Sequence, residues 1–287
     1  PIGFLGNLVA GRMIKKRLLR MFTAREIRIE RDLKRHADFA DKPRKKILIA
    51  GSSGLIGRQL VAFLDTGGHD VWRLVRRKAK KAEKELSWNP DVGIINHDVL
   101  EGFDAIIHLG GAGIGDKRWS KRRMKLIEES RTKSTALLAD AITQLNKKPE
   151  AFIVASAVGW YGNRGDEELD ETSTPGEGFL PETCARWEEA CQAARDVGVR
   201  TINLRTGIVL DATGGALGKM LLPAKLGAGG PIGRGRQWYS WISMDDQIYS
   251  IHHLLMKDEC EGAYNICLLY TSPSPRDRTR SRMPSSA

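Results

Sequence analysis

Cysteine is scarce in this 287-residue chain, and the four that occur, Cys184, Cys191, Cys260 and Cys267, show no CxxC or CxxH spacing. A zinc knuckle or a dithiol redox motif is therefore excluded, and a chain of this length needs no disulfide framework. No run approaches the roughly 18 consecutive apolar residues of a membrane-spanning helix, and the N-terminus lacks the apolar stretch and cleavage site of a secretory signal. A soluble, cytoplasmic protein is the expectation. Asp245 and Asp246 lack a His or Cys cluster nearby, so they read as caps or lobe contacts, and no metal is expected. No internal repeat is evident.

The formal charge of +11 suggests nucleic acid until it is located along the chain. Residues 1–46 hold 14 Lys or Arg against 5 Asp or Glu, and residues 268–287 hold 4 Arg against Asp277 alone. The middle, 47–267, carries 28 basic and 29 acidic residues, so it offers no electrostatic case for nucleic acid. The basic N-terminal stretch, Met13 to Phe22, spaces apolar residues at helical intervals and predicts a helix running to about His36. Either it packs on something, with Ile14, Leu18, Met21 and Phe22 as the apolar stripe, or it meets a membrane or partner. Asp41-Lys42-Pro43-Arg44-Lys45 reads as a linker.

After that linker the pattern becomes strand, turn, helix. Strands are expected near 46–50, 70–75, 104–109, 151–156 and 200–205, and helices near 55–65, 120–145 and 181–197. Such alternation demands a parallel, doubly wound α/β sheet, because each parallel crossover needs a helix. The apolar Lys46–Ala50 run leads directly into Gly51-Ser52-Ser53-Gly54-Leu55-Ile56-Gly57 and then a helical Arg58–Leu64. Strand before and helix after favour a dinucleotide-binding loop over an ordinary βα turn. Gly51 permits the tight turn, Gly54 lets backbone approach a pyrophosphate, and Gly57 allows close helix packing, with Ser53, Leu55 and Ile56 completing the cradle. The second strand ends in Arg76-Arg77, where an acidic residue would hold an unmodified ribose 2′-hydroxyl. An Arg there pairs with a 2′-phosphate, which favours NADP(H) over NAD(H); the other reading is two solvated surface arginines.

Several blocks then carry a resemblance: Leu109-Gly110-Gly111-Ala112-Gly113-Ile114 with Arg118-Trp119, Ser130-Arg131-Thr132, Ser156 to Gly162, Leu204 to Leu210, Gly229 to Gly233, and Gln237-Trp238 followed by Trp241-Ile242 and Asp245-Asp246. Over about residues 45–267 the chain resembles the atypical extended short-chain dehydrogenase/reductases, the NAD(P)-dependent epimerase-family proteins. The resemblance implies a Rossmann sheet with a small, incomplete substrate lobe, drawn from about 160–180 and 211–243 and from a C-terminus that is missing. It also implies that Leu109, Gly110 and Gly111 line the cofactor. Met21 to Arg25 and Arg31 to His36 are similar to the end of the last helix of a START or polyketide-cyclase-like domain. Residues 1–40 would then be the remnant of a truncated preceding domain, and the helix expects a missing partner domain.

The departures from that family bear on chemistry. Its usual Tyr-x-x-x-Lys lowers the Tyr pKa for proton exchange while hydride moves. No tyrosine here has a Lys four positions later, and Leu180 and Cys184 fall where the pair is expected. Ser156 matches the catalytic Ser block, as either a substrate-facing group or a strand-end cap, and Tyr161 is the candidate substitute acid or base. Cys184 reads as a nucleophile or as a buried apolar residue, and Ser243 stands where relatives often have His. The tryptophans at 119, 160, 187, 238 and 241 read mostly as core, with Trp160 and Trp238 also placed to line a substrate cleft. Two functions follow: an NADP(H)-dependent oxidoreductase or epimerase acting on an unidentified small molecule, or a non-catalytic NADP(H)-binding sensor of the cell-division-inhibitor-like kind. Residues 268–287 hold almost nothing that enters a core after Tyr270 and resemble translated adapter sequence, so a disordered, non-native tail is expected.

Overall fold

The computed structural model describes residues 4–227, 230 and 238–270, and the chain divides into two units, residues 1–43 and 44–287. The first unit holds one helix, α1 (Phe4–Ala37). Ile14, Leu18, Met21 and Phe22 on it are 45–57% exposed, so its apolar stripe faces solvent.

In the second unit β1 (Lys46–Ala50), β2 (Asp70–Val75), β3 (Glu85–Asn89), β4 (Ile94–Ile95), β5 (Ala105–His108), β6 (Ala151–Ala157), β7 (Arg200–Thr206) and β10 (Gly262–Ile266) form one sheet in the order β10-β7-β6-β5-β1-β2-β3-β4. Every pairing is parallel except β3 with β4. The strand centres are apolar without alternation because both faces are covered. Leu48, Ala50, Ile106, Phe152 and Val154 pack with Leu138, Ile142 and Ala194 of α3 (Lys121–Thr143) and α5 (Gln192–Asp196). Their neighbours Ile47, Ile49, Ile107 and Ile153 are equally buried, and strand alternation turns them to the opposite face. There α2 (Leu55–Thr66) packs on α7 (Met244–Met256), with the Phe63 and Tyr249 rings 5.6 Å apart. Each fully buried aliphatic side chain contributes about 1.5–3 kcal/mol, which makes these two layers the main stabilising element.

A second sheet of three strands is built from β8 (Ile208–Leu210), β9 (Tyr239–Ser243) and β11 (Leu268–Tyr270), with α6 (Gly215–Lys225) beside it. Of the stretches expected in a small lobe, 211–243 supplies α6 and β9. Two expectations need correction. The helix near 181–197 is two helices, α4 (Phe179–Glu189) and α5, interrupted at Ala190 and Cys191. The tail does not begin at 268, since Leu268–Tyr270 pairs antiparallel with β9; residues 271–287 lie outside the described residues. Among the described residues no helix is long and apolar enough to cross a membrane.

Candidate functional site

From β1 the chain moves outward through β2 and β3, then returns across β1 to β5. The C-terminal ends of β1 and β5 therefore border the switch point where ligands of such sheets bind. Ala50 and His108 are register partners there, and Leu109 N–H donates to the Ala50 carbonyl at 2.9 Å. The two loops that follow are pressed together. Gly51 has φ +84°, and a Cβ on it would stand 2.7 Å from Gly110 N, so only glycine fits. A Cβ on Gly57 would overlap the Gly51 carbonyl and lie 2.8 Å from the Ser52 Cα. Gly54 N–H closes a turn onto the Gly51 carbonyl at 3.0 Å, and Gly54 then caps α2 without any side chain, which leaves the first N–H groups of the helix open.

These loops border a cleft of about 1200 Å³, lined among others by Gly51, Ser52, Ser53, Gly54, Arg76, Leu109, Gly110 and Gly111. Leu55, Ile56 and Gly57 lie outside its lining: Leu55 faces Gly214 and Gly215, and Gly57 serves the packing of α2 on its own loop. The two arginines differ. Arg77 forks onto the buried Glu85 at 2.5 and 2.7 Å, which holds the Glu85 carboxyl below the usual range, and Lys80 N–H adds a third bond. Arg76 has no carboxylate partner among the described residues. Arg58 and Arg73, which sequence reasoning passed over, line the cleft in the same unpaired state.

The far wall is held by α3. His108 Nδ1 accepts from Gly110 N–H at 3.4 Å, so its Nε2 carries the proton and donates to Ser134 Oγ at 2.7 Å. Burial, with Arg131 nearby, pulls the His108 pKa to about 4, and the ring is neutral at pH 7. Ser130 Oγ accepts from Ala112 N–H at 2.9 Å. Residues 108–112 are thus pinned before any ligand arrives.

Beyond β6 the polar groups turn inward. Ser156, 4% exposed, donates to Glu188 Oε1 at 2.6 Å. Glu188 takes a two-pronged pair from Arg205 at 2.9 and 3.0 Å; Arg205 stacks on Trp160 and donates to Tyr161 Oη at 3.1 Å. Tyr161 in turn donates to Asn265 Oδ1 at 2.7 Å. The structure brings Ser156 and Tyr161 into one buried network, and neither lines the cleft. Among the described residues, no Lys amine reaches the Tyr161 hydroxyl. Leu180 and Cys184 stand over Gly159, each about 3.5 Å from where its Cβ would be. Burial pushes the Cys184 thiol up to about 11, which is the behaviour of an apolar core residue. Ser243 caps α7 with Asp246. Trp119, expected in the core, and Trp238, expected in the core or lining a substrate cleft, are 43% and 50% exposed, their indoles bonded to the Ile114 carbonyl and to Asp166.

The model of the NAD dependent epimerase/dehydratase family matches residues 47–267. The chain belongs to that family. As an epimerase-family chain it is 38% identical over 229 residues to epimerase family protein Mb2239 of Mycobacterium bovis, covering 80% of this chain and 74% of that one. It is 34% identical over 223 residues to human epimerase family protein SDR39U1, covering 77% and 73%. Among solved structures, a nucleoside-diphosphate sugar epimerase from Corynebacterium glutamicum aligns with TM-score 0.75 and 36% identity over 86% of this chain, which spans about half (52%) of that protein. Human SDR39U1 (isoform 2), solved with NADPH, aligns with TM-score 0.67 and 32% identity, covering 76% of this chain and 72% of that one. These relatives carry the epimerase name, which favours the oxidoreductase or epimerase reading over the cell-division-inhibitor-like one.

Proposed function

We propose that this epimerase-family chain binds NADP(H) in the glycine-lined cleft and acts there as an oxidoreductase or epimerase on a small molecule. The observation that carries the reading is the cleft itself: glycines that admit no Cβ, an uncapped helix N-terminus, and unpaired arginines at its rim. The solved complex of human SDR39U1 with NADPH supports it. Gly51, Ser53 and Gly54 would face the pyrophosphate, Leu109, Gly110 and Gly111 the opposite wall, and Arg76 the 2′-phosphate, aided by Arg58 and Arg73. Leu55, Ile56 and Gly57 support the loop from behind. The nicotinamide supplies hydride transfer when bound. Ser156 and Tyr161 have hydroxyls already bonded within the protein, so the reading gives them a positioning role through Glu188 and Arg205. We also infer that residues 1–40 end a separate preceding domain, an assignment supported by the exposed stripe of α1.

Titration with NADPH and NADH tests the cofactor. One guanidinium–phosphate pair is worth about 1.5–3 kcal/mol, roughly ten- to a hundredfold in affinity. NADPH should bind more tightly by that margin and Arg76→Ala should erase most of the difference; equal binding by the unaltered protein refutes the assignment. Cofactor turnover across a substrate panel, with Ser156→Ala as control, tests the activity.

A further inference from the structure

Glu85, the first residue of β3, belongs to the lining of the cleft, as do its register partner Arg73 and the two arginines after β2, Arg76 and Arg77. Its side chain is only 2% exposed, and a carboxylate so deeply buried needs its charge met. Arg77 meets it with both prongs, Nη2 to Oε1 at 2.5 Å and Nη1 to Oε2 at 2.7 Å. Those hydrogen bonds hold the Glu85 carboxyl below its usual range, so the pair is a carboxylate with a guanidinium at pH 7. Arg77 is 55% exposed and is therefore the outer member of the pair.

The segment after β2 is anchored by other bonds as well. Ser87 Oγ donates to the Arg77 carbonyl at 3.0 Å and accepts from Ala79 N–H at 2.8 Å, which involves neither charged side chain. Lys80 N–H donates to Glu85 Oε2 at 3.0 Å, a bond that an amide oxygen accepts equally well. The fork is thus not required to shape the loop; what it alone supplies is charge. The end of β2 is where a sheet of this kind receives the 2′ position of the adenosine ribose. A free carboxylate in that lining accepts from an unmodified 2′-hydroxyl and repels a 2′-phosphate. Glu85, with both oxygens taken by Arg77, does neither.

We propose that Glu85 and Arg77 are a masked specificity determinant: Arg77 acts by silencing the Glu85 carboxylate rather than by touching the cofactor, and that silencing admits a ribose 2′-phosphate beside Arg76. The two neighbouring arginines then have different tasks, Arg76 as the contact and Arg77 as a positioning residue that works through Glu85. The inference rests on the reading of the cleft as an NADP(H) site.

The test is a double-substitution cycle in which the full chain and its variants are titrated with NADPH and with NADH. Arg77→Gln should weaken NADPH binding by roughly tenfold or more, because it leaves a bare carboxylate facing the phosphate, and should not weaken NADH. Adding Glu85→Gln should bring NADPH affinity back to within about threefold of wild type, since no charge is then left to silence. A loss that persists in the double variant means that Arg77 meets the phosphate itself and overturns the proposal. So does an Arg77→Gln protein that binds NADPH like wild type. Circular dichroism and thermal unfolding establish that each variant folds. Should Arg77→Gln not fold, Arg77→Lys, which keeps a charge but gives up the fork, shows a smaller loss that Glu85→Gln likewise cancels. A wild-type chain that binds neither cofactor, or both equally, sinks the NADP(H) reading and this inference with it. A wild-type preference for NADPH with an uncancelled loss in the double variant sinks this inference alone.

Discussion

The two halves of one sheet edge solve opposite problems. Around β1 and β2 several polar groups are left unspent among the described residues: α2 begins without a side-chain cap, and Arg58, Arg73 and Arg76, unlike Arg77 on Glu85, line the cleft without a carboxylate partner. Beyond β6, Ser156, Glu188, Arg205, Tyr161 and Asn265 satisfy one another in the interior. Unfilled donors cost folding free energy that a ligand recovers, whereas filled ones brace the fold and are no longer free to bind. A polar residue near the strand ends is thus no sign of a binding role until its partners are known.

The sharpest way to break the braced half is Glu188→Ala, which leaves Arg205 buried without its counter-charge. Urea unfolding should show a loss of about 3–5 kcal/mol, with NADPH affinity of the surviving fold little changed. Next in size is the pH response of His108. Its pKa falls from 6.5 when unfolded to about 4 when folded, so between those values the unfolded chain binds more protons. Stability should therefore decline as pH drops from 6.5 to 4, by about 3 kcal/mol from this group, and His108→Gln should flatten that slope. On the open half, Gly57→Ala forces a Cβ into the Gly51 carbonyl and should cost roughly 1–3 kcal/mol together with much of the NADPH affinity. The smallest effect belongs to the other unit: removing residues 1–35, which stops short of the buried His36 and Phe39, should leave the Tm and NADPH titration of the remainder within error. A large Tm drop would show that the helix is integral to the family domain.

The open half was legible in the sequence and the braced half was not, for a physical reason. An apolar strand, three glycines and a helix are contiguous, so the chain itself records the cradle. Glu188 and Arg205 are 17 residues apart on different elements, and only the folded sheet makes them a pair. The five central strands were readable from their apolar runs. β3 (Glu85–Asn89) and β10 (Gly262–Ile266) were missed, since their Glu, Ser, Asn and Gly break that signal. α7 was missed too, although Ser243 three residues before Asp246 is a capping signature that announces it. Arg131 stood in plain view within Ser130-Arg131-Thr132, but its place against Trp187 and the Ile127 carbonyl is a property of the fold.

The pinning of residues 108–112 by Ser130, Ser134 and His108 has a kinetic consequence. A cleft whose far wall is already held has little conformational freedom left to surrender when a ligand arrives. Association then needs no preceding rearrangement of that wall, and its rate is set by diffusion and by the pull of the unpaired arginines on an anionic ligand. Selectivity between ligands is consequently expressed in how long each stays, not in how fast it enters.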